Sequence, residues 1–401
     1  MTTDVYYKKT VDLQHARQVL HLRVSQDLFS SYDVDVGTQR LLRSLADADG
    51  ASFGKILDLG CGYGPLGLTL KKLDPTRTVH LVDRDALAVE YARQNAVLNE
   101  IPDVECYASL GYDDVSTAGF DLILSNIPAK AGEPVIAGLL QDAVHYLRPG
   151  GLVAIVVVTP LEEIVAGMLA DPGIQVQLRK AWPGHAVFHY CFTGPAGRAE
   201  RLVGALERGV YDRQETNVSY RGQDFSLSVA YGLPEFDTLS YETRLLLDGL
   251  NRLQDTIVRR AILLNPGQGY VPVAVWQLMR PAQMDLVDRD LLSLRYSRKN
   301  LLGSGCPAEQ VVLVHQPGAR VPSLAAVDLT AGVLREEEGP AAHVAMIEQV
   351  AEQTAPGGIV VLVAGSTSVT RLVDAIEGRK VWTIVRRERS RGRSLLILRR
   401  R

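Results

Sequence analysis

The stretch Lys55–Leu70, KILDLGCGYGPLGLTL, decides the fold of this chain. A short apolar run, Ile56–Leu59, carries one carboxylate, Asp58, and opens straight into glycines at 60, 62, 64 and 67. A loop without Cβ atoms turns tightly and lets main chain approach a ligand where a side chain would collide. A strand that ends in such a loop, with a charged acceptor beside it, predicts a nucleotide-like cofactor at the mouth of an α/β sheet.

Two cofactors compete for that loop. Gly62-Tyr63-Gly64-Pro65-Leu66-Gly67 fits the dinucleotide fingerprint GxGxxG. The first glycine after the strand is Gly60, however, and Asp58 stands where a dinucleotide strand carries a small or apolar residue. Downstream, Val79–Val82 is a second apolar strand that ends at Asp83, about 20 residues beyond the glycines, where an acidic side chain accepts ribose hydroxyls. Asp83 suits either cofactor. Asp85 is the N-cap candidate for the segment Ala86–Leu98, which leaves Asp83 for the ribose. A third apolar strand, Phe120–Leu124, runs into Ser125-Asn126-Ile127-Pro128-Ala129-Lys130. On its own, an Asn-Pro turn of this kind simply closes a strand.

The D-x-G-x-G-x-G spacing from Asp58 resembles motif I of class I S-adenosylmethionine (SAM) methyltransferases. The turn at Asn126 resembles in part the [DN]-P-P-[FY] pattern of SAM enzymes that methylate exocyclic or amide nitrogens. Asn126 and Pro128 match it, and Ile127 and Ala129 depart from it. Asp27–Leu42, DLFSSYDVDVGTQRLL, is similar to the segment before motif I in the "methyltransferase small" family, whose members methylate guanine N2 in ribosomal RNA; Phe29, Ser30, Asp35, Gly37, Thr38, Leu41 and Leu42 carry the match. The resemblance runs from Leu20 to Phe192.

That resemblance implies a SAM cofactor held by Asp35, Thr38, Asp58, Gly60, Cys61, Gly62, Asp83, Arg84 and Asn126, and a catalytic group of Asn126, Ile127 and Pro128. The Asn126 side-chain oxygen and the Ile127 carbonyl would accept the hydrogens of an amine, and Pro128 would fix the turn. The implied partner is RNA, ribosomal by the resemblance, with an exocyclic amine as acceptor. In the family an aromatic at the position of Ala129 stacks on the base, worth about 1–3 kcal/mol; Tyr32, Trp182 and Phe188 are the rings that can stand in for it. Two alternatives stay open. One is methylation of a protein glutamine or a small-molecule amine. The other is an RNA-binding assembly factor with a vestigial SAM site.

Composition bounds the rest. With 401 residues, 46% of them hydrophobic, the chain can build two ordinary domains. Its longest apolar run, Leu152–Val158, is too short to cross a bilayer, and Met1–Thr10 has no apolar signal core. Cys61, Cys106, Cys191 and Cys306 have neither metal-ligand nor disulfide spacing. We expect a cytoplasmic protein with no metal and no membrane contact. His185 and His189 lie on an alternating strand and read as structural.

The chain then repeats itself with a period near 205 residues, a domain-scale duplication. Leu81–Asp85 recurs unchanged as Leu286–Asp290, Tyr91-x-Arg93-x-Asn95 as Tyr296-x-Arg298-x-Asn300, Pro149-Gly150-Gly151 as Pro356-Gly357-Gly358, and Arg179–Trp182 nearly so as Arg379–Trp382. Motif I becomes Leu264-Asn265-Pro266-Gly267-Gln268-Gly269-Tyr270, read with Asn265 in the place of Asp58, and Asn126–Ala129 becomes Gly332-Val333-Leu334-Arg335. The fold class expected is therefore α/β: two tandem Rossmann-like, doubly wound methyltransferase domains, residues 1–200 catalytic and residues 201–401 degenerate. Ala186–Phe192 is expected as the antiparallel edge strand. The tail from residue 379 is rich in arginine, as a basic hairpin for phosphates or as a solvated edge.

Overall fold

The computed structural model describes residues 4–46, 53–194, 203–323, 325–378 and 380–401. The expected boundary at 200/201, residues 1–3 and Arg379 of the basic tail lie outside the described residues. Two compact units divide the chain: one is Tyr7–Tyr211, and the other is Asp212–Arg401, which also takes in residues 4–6.

The first unit opens with a hairpin, β1 (Tyr7–His15) and β2 (Gln18–Ser25), followed by α1 (Val36–Ala46). Then come β3 (Lys55–Leu59), α2 (Pro65–Leu73), β4 (Thr78–Asp83), α3 (Ala86–Leu98), β5 (Val104–Ala108), β6 (Phe120–Asn126), α4 (Glu133–Gln141), β7 (Leu147–Val158), α5 (Glu162–Met168), β8 (Ile174–Trp182) and β9 (His185–Phe192). Seven of these strands form one sheet in the order β5-β4-β3-β6-β7-β9-β8. β3 to β7 pair in parallel, and β9 runs antiparallel to both β7 and β8. The continuous apolar run Val153–Val157 is buried, as a central strand covered on both faces requires.

Three details differ from the sequence reading. β9, expected at the edge, is flanked on both sides, and the edge belongs to the polar strand β8. Pro149-Gly150-Gly151, which by its Pro-Gly pair reads as the turn feeding a strand, lies inside β7 instead: the register jumps from Phe120↔Leu147 to Leu122↔Leu152, with Gly150 at φ 72°. Strand β1 has no legible pattern in the sequence. Its apolar positions, Val11 and Leu13, are few among charged neighbours, and it is held by pairing with β2 through a turn in which Ala16 and Arg17 both have positive φ.

The second unit repeats this plan. Its elements are β10 (Asp212–Tyr220), β11 (Gln223–Ala230), α6 (Tyr241–Asn251), β12 (Arg260–Leu264), α7 (Tyr270–Met279), β13 (Gln283–Asp288), α8 (Leu291–Gly303), β14 (Val311–His315), β15 (Val327–Val333), α9 (Gly339–Gln353), β16 (Thr354–Gly365), α10 (Ser366–Glu377), β17 (Trp382–Ser390) and β18 (Arg393–Arg400). The sheet order, β14-β13-β12-β15-β16-β18-β17, matches strand for strand. The basic hairpin is β17–β18, and much of its charge is partnered internally: Arg386 with Glu388, Arg393 with Glu242 and Glu336, Arg387 and Arg389 with Thr370.

The repeated asparagine explains itself. Asn95 is fully buried on α3; its Oδ1 accepts the Arg23 N–H at 2.7 Å, and its Nδ2 donates to the carbonyls of Tyr63 at 2.9 Å and Arg23 at 3.1 Å. It thus ties the hairpin to the motif I loop. Asn300 makes the same bonds to Ser228 and Gln268. Asn95→Ala leaves three backbone groups without their partner. It should lower the stability of the first unit by roughly 2–4 kcal/mol in urea unfolding.

Candidate functional site

The carboxyl ends of β4, β3 and β6 lie side by side where the strand order reverses, the place at which open α/β sheets take ligands. Gly60, Gly62 and Gly64 follow β3 with φ of 74°, 55° and 90°, a left-handed path that favours glycine. The N–H groups of Gly60 and Cys61 both donate to the Val82 carbonyl at 2.9 Å, which hangs the loop on β4. A Cβ built on Gly60 or Gly62 would meet nothing within 4 Å, so these residues border open space.

Asp58 is completely buried beneath the loop. Its Oδ2 accepts the Gly67 N–H at 2.8 Å, in the first turn of α2, whose N-cap residue Gly64 has no side chain to offer. Its Oδ1 has no partner. Burial pushes the Asp58 carboxyl up to about 7; the Asp83 charge adds to this and the Gly67 bond opposes it. Asp83, half-buried, accepts the Gly62 N–H on Oδ2 and the Asp85 N–H on Oδ1, both at 2.9 Å. Burial and the neighbouring Asp85 raise it to about 6, and Arg84 acts in the opposite sense. A carboxylate has about four lone-pair positions, so Asp83 retains acceptors for hydroxyls. Asp85 caps α3 through the Leu87 N–H at 2.9 Å, as read. Cys61 is buried and its thiol is pushed up, first by burial and then by Asp83 and Asp58; it lines the loop and is no nucleophile.

A second cluster forms at the end of β6. The Asn126 Nδ2 donates to Asp35 Oδ2 at 3.0 Å and to Thr38 Oγ1 at 3.2 Å. The same Asp35 oxygen accepts the Thr38 N–H at 3.0 Å. A carboxylate only accepts, so the amide NH2 must face Asp35 and the Asn126 Oδ1 points elsewhere. Asp35 and Thr38, which the motif assigns to the cofactor, thus spend these polar atoms on Asn126 and α1. Ile127 is buried and donates its N–H to the Val156 carbonyl at 3.0 Å; Pro128 is exposed, and its carbonyl closes a turn with Ala131.

Sequence reasoning missed His185, which it had as purely structural. Its Nε2 lies 3.8 Å from Asp35 Oδ1, and its Nδ1 lies 3.3 Å from Arg40. Arginine only donates, so Nδ1 accepts and Nε2 carries the hydrogen that faces Asp35. Gly67, which the glycine pattern includes but does not assign to the site, contributes a main-chain N–H that no side-chain motif shows. Of the three stand-in rings, Phe188 is buried and Trp182 is half-buried against Arg40 and Lys180, whereas Tyr32 is 76% exposed. No group of three or more metal-ligating side chains occurs among the described residues.

The second unit corrects two pairings made from sequence. Strand register sets Leu263, not Asn265, in the place of Asp58: Asp58 pairs with Leu81 and Leu263 with Leu286. Asn265, at φ 49°, replaces Gly60. Likewise Val333 replaces Asn126, and Arg335 replaces Pro128. The Arg335 guanidinium reaches back to Asp288, the counterpart of Asp83, at 2.6 Å and to Asn265 at 3.2 Å. Asn265 also donates to the Val333 carbonyl at 2.8 Å. The crevice that is open in the first unit is crossed here by the chain's own side chains.

Residues 20–170 match the family model of the methyltransferase small domain. The matched stretch covers most of the first unit. Over 131 residues the chain is 37% identical to the uncharacterized protein YbxB of Bacillus subtilis, covering 32% of this chain and 64% of that one. It is 35% identical over 147 residues to ribosomal RNA small subunit methyltransferase C of Hahella chejuensis, covering 36% and 42%, and 34% identical over 146 residues to ribosomal RNA large subunit methyltransferase G of Shewanella loihica, covering 32% and 35%. The match therefore spans less than two thirds of each of these relatives. Across its whole length the fold is similar to that of the T. thermophilus 16S rRNA N2 G1207 methyltransferase, solved with AdoMet and guanosine: TM-score 0.68, 17% identity, 99% of both chains covered. The tandem Rossmann-like architecture is thus shared end to end.

Two outcomes follow from these geometries. A carboxyl raised from its ordinary value of 3.8 to about 7 in the fold gives stability that is complete below the unfolded value and is lost as pH rises through the folded one. The urea midpoint of the first unit should therefore fall from pH 5 to pH 7.5 more steeply in the wild type than in Asp58→Asn, where Asp83 still titrates; parallel curves would refute the shift. Arg335→Ala should weaken the second unit by roughly 1–3 kcal/mol, because buried Asp288 loses its cation.

Proposed function

We propose that the first unit binds SAM and transfers its methyl group to an exocyclic amine, with guanine N2 of ribosomal RNA as the acceptor. The observation that carries this reading is the Asn126 amide, held by Asp35 and Thr38 so that its oxygen faces away from them at the carboxyl end of β6. Support for the cofactor comes from the open side of Gly60 and Gly62 and from the buried Asp58 Oδ1 without a partner, an acceptor suited to a cationic amine. Support for the substrate comes from the names of the relatives and of the full-length structural neighbour.

Bound SAM supplies an electrophilic methyl group; that chemistry is its own. The glycine loop and Asp83 hold the nucleoside, with Arg84 and Cys61 beside them. Asn126 Oδ1 accepts one hydrogen of the substrate amine and the Ile127 carbonyl accepts the other. This turns the nitrogen lone pair toward the methyl group and stabilises positive charge as it grows on nitrogen. Pro128 fixes the turn that presents this carbonyl. Orientation of this kind is worth up to roughly 7–11 kcal/mol of barrier. A ribosomal RNA substrate places the protein in the cytoplasm; among the described residues no helix is long and apolar enough to cross a membrane.

Ala129, exposed and without a ring, favours one second reading, a small amine or a glutamine side chain as acceptor. Transfer of labelled methyl from SAM to fractionated RNA, protein and metabolites separates the readings. The label should enter RNA at guanine N2. Label confined to protein or metabolites would select the second reading, and absence of SAM binding in calorimetry would leave an RNA-binding assembly factor. Asn126→Ala should lower turnover roughly a hundredfold while SAM affinity changes little; Asp35→Asn, which frees the amide to turn over, should move the same parameter in the same direction.

A further inference from the structure

Among the described residues the exposed aromatic side chains are Tyr7, Phe29 and Tyr32, at 43%, 71% and 76%. They lie in two stretches of the first unit, Tyr7 on strand β1 and Phe29 and Tyr32 in the loop after β2, which Lys8 and Lys9 of β1 bring together at Tyr32. Most aromatic rings of a folded domain are buried, and a gathering of exposed ones marks a surface that meets a partner. Cations interleave with them. The Lys8 ammonium sits 3.3 Å from the Tyr32 ring centre, Lys9 lies 5.8 Å from it, and the Arg23 guanidinium is 4.4 Å from the Tyr7 ring.

This surface is joined to the site at two points. The Tyr63 hydroxyl of the motif I loop donates to the Ser30 carbonyl at 3.5 Å, and the loop ends at Asp35, which holds Asn126. Lys8 also donates to Ser31 Oγ at 3.3 Å, so β1 steadies the loop that carries Phe29 and Tyr32. Rings with open faces stack unpaired bases of any sequence, and ammonium groups beside them neutralise the backbone phosphates. A duplex cannot use ring faces in this way, because its bases are already stacked. We propose that Tyr7, Phe29 and Tyr32, with Lys8 and Lys9, form a platform that receives unpaired nucleotides of the RNA next to the target base. The proposal rests on the reading that RNA is the acceptor, and it places on β1 and the loop after β2 a stacking surface for the neighbours of the target base, separate from the ring that Ala129 lacks.

The test uses the full chain and a fluorescent single-stranded heptanucleotide, followed by anisotropy across a series of salt concentrations. Phe29→Ala/Tyr32→Ala should weaken binding roughly tenfold or more with little change in salt slope, as expected for lost stacking. Lys8→Ala/Lys9→Ala should reduce the slope of log affinity against log salt by about 1.4, two single-strand phosphate contacts. A merely structural role would move neither the slope nor its partition between the two variants. SAM affinity and the urea midpoint serve as controls and should hold. The platform is overturned if the wild type binds the oligonucleotide no better than both variants, or if both variants bind with the wild-type affinity and slope. If the wild type binds, the variants lose binding as described, and no RNA accepts methyl, the platform stands and the acceptor reading falls.

Discussion

One hydrogen bond underlies the site: Asp58 Oδ2 to the Gly67 N–H. A helix leaves its first N–H groups without partners, and α2 starts at a glycine with no side chain to serve them. A carboxylate from the neighbouring strand supplies the acceptor and complements the positive helix end. The arrangement is unfavourable by burial alone, which is why the Asp58 carboxyl is raised to about 7. The second unit shows what happens when the arrangement is abandoned. Leu263 fills the place of Asp58, and Pro272, which has no N–H to satisfy, fills the place of Gly67. Donor and acceptor disappear together, so the helix start stays satisfied and the strand gains an apolar side chain. A fold that can dispense with the buried acid, yet retains it in one copy, retains it for something other than the fold.

Scaffold and site are therefore separable in this chain. Both units keep the strand order, two left-handed glycines (Gly62 and Gly64, Gly267 and Gly269), the aspartate that caps the helix after the second strand of the sheet, and the buried asparagine that pins hairpin to loop. These features position main chain. What differs is the chemistry at the carboxyl ends. In the first unit Asp83 is held by main-chain N–H groups alone and keeps acceptor capacity; in the second, Asp288 is engaged by Arg335. A bulky Asn265 occupies the backbone position where Gly60 leaves open space. The same sheet thus presents an open crevice in one copy and a crevice filled by its own arginine in the other.

The sequence made the parallel sheet legible, because Ile56–Leu59, Val79–Val82 and Phe120–Leu124 are apolar runs punctuated by Asp58-to-Gly67, Asp83 and Asn126. It also made the duplication legible, because Leu-Val-Asp-Arg-Asp and Tyr-x-Arg-x-Asn recur unchanged, and within them the helix-capping aspartate and the buried asparagine serve the main chain in both copies. Two kinds of information were hidden. Strand β1 buries few side chains, so its pattern is faint, and it is held by pairing with β2. Insertions of a residue or two shift the repeat, so that matching letters set Asn265 against Asp58, whereas hydrogen-bonded register sets Leu263 there. His185 was hidden for a further reason: its approach to Asp35 spans 150 residues of chain and depends on β9 lying inside the sheet, which no local pattern announces.

That last contact bears on how the Asn126 amide keeps its orientation. An asparagine side chain is nearly symmetric in shape, and only its neighbours decide which end is oxygen. Thr38 Oγ1 can donate or accept and decides nothing. Asp35, able only to accept, breaks the symmetry, and it does so while anchored by the first turn of α1 through the Thr38 N–H. Its second oxygen faces the Nε2–H of His185, whose tautomer is in turn set by Arg40 on α1, and Arg40 is itself tied to the Pro183 carbonyl at 2.8 Å. The orientation of one amide on β6 is thus determined by a helix that precedes the sheet and by the turn between its last two strands. The segment before the glycine loop thus fixes which way the Asn126 amide faces.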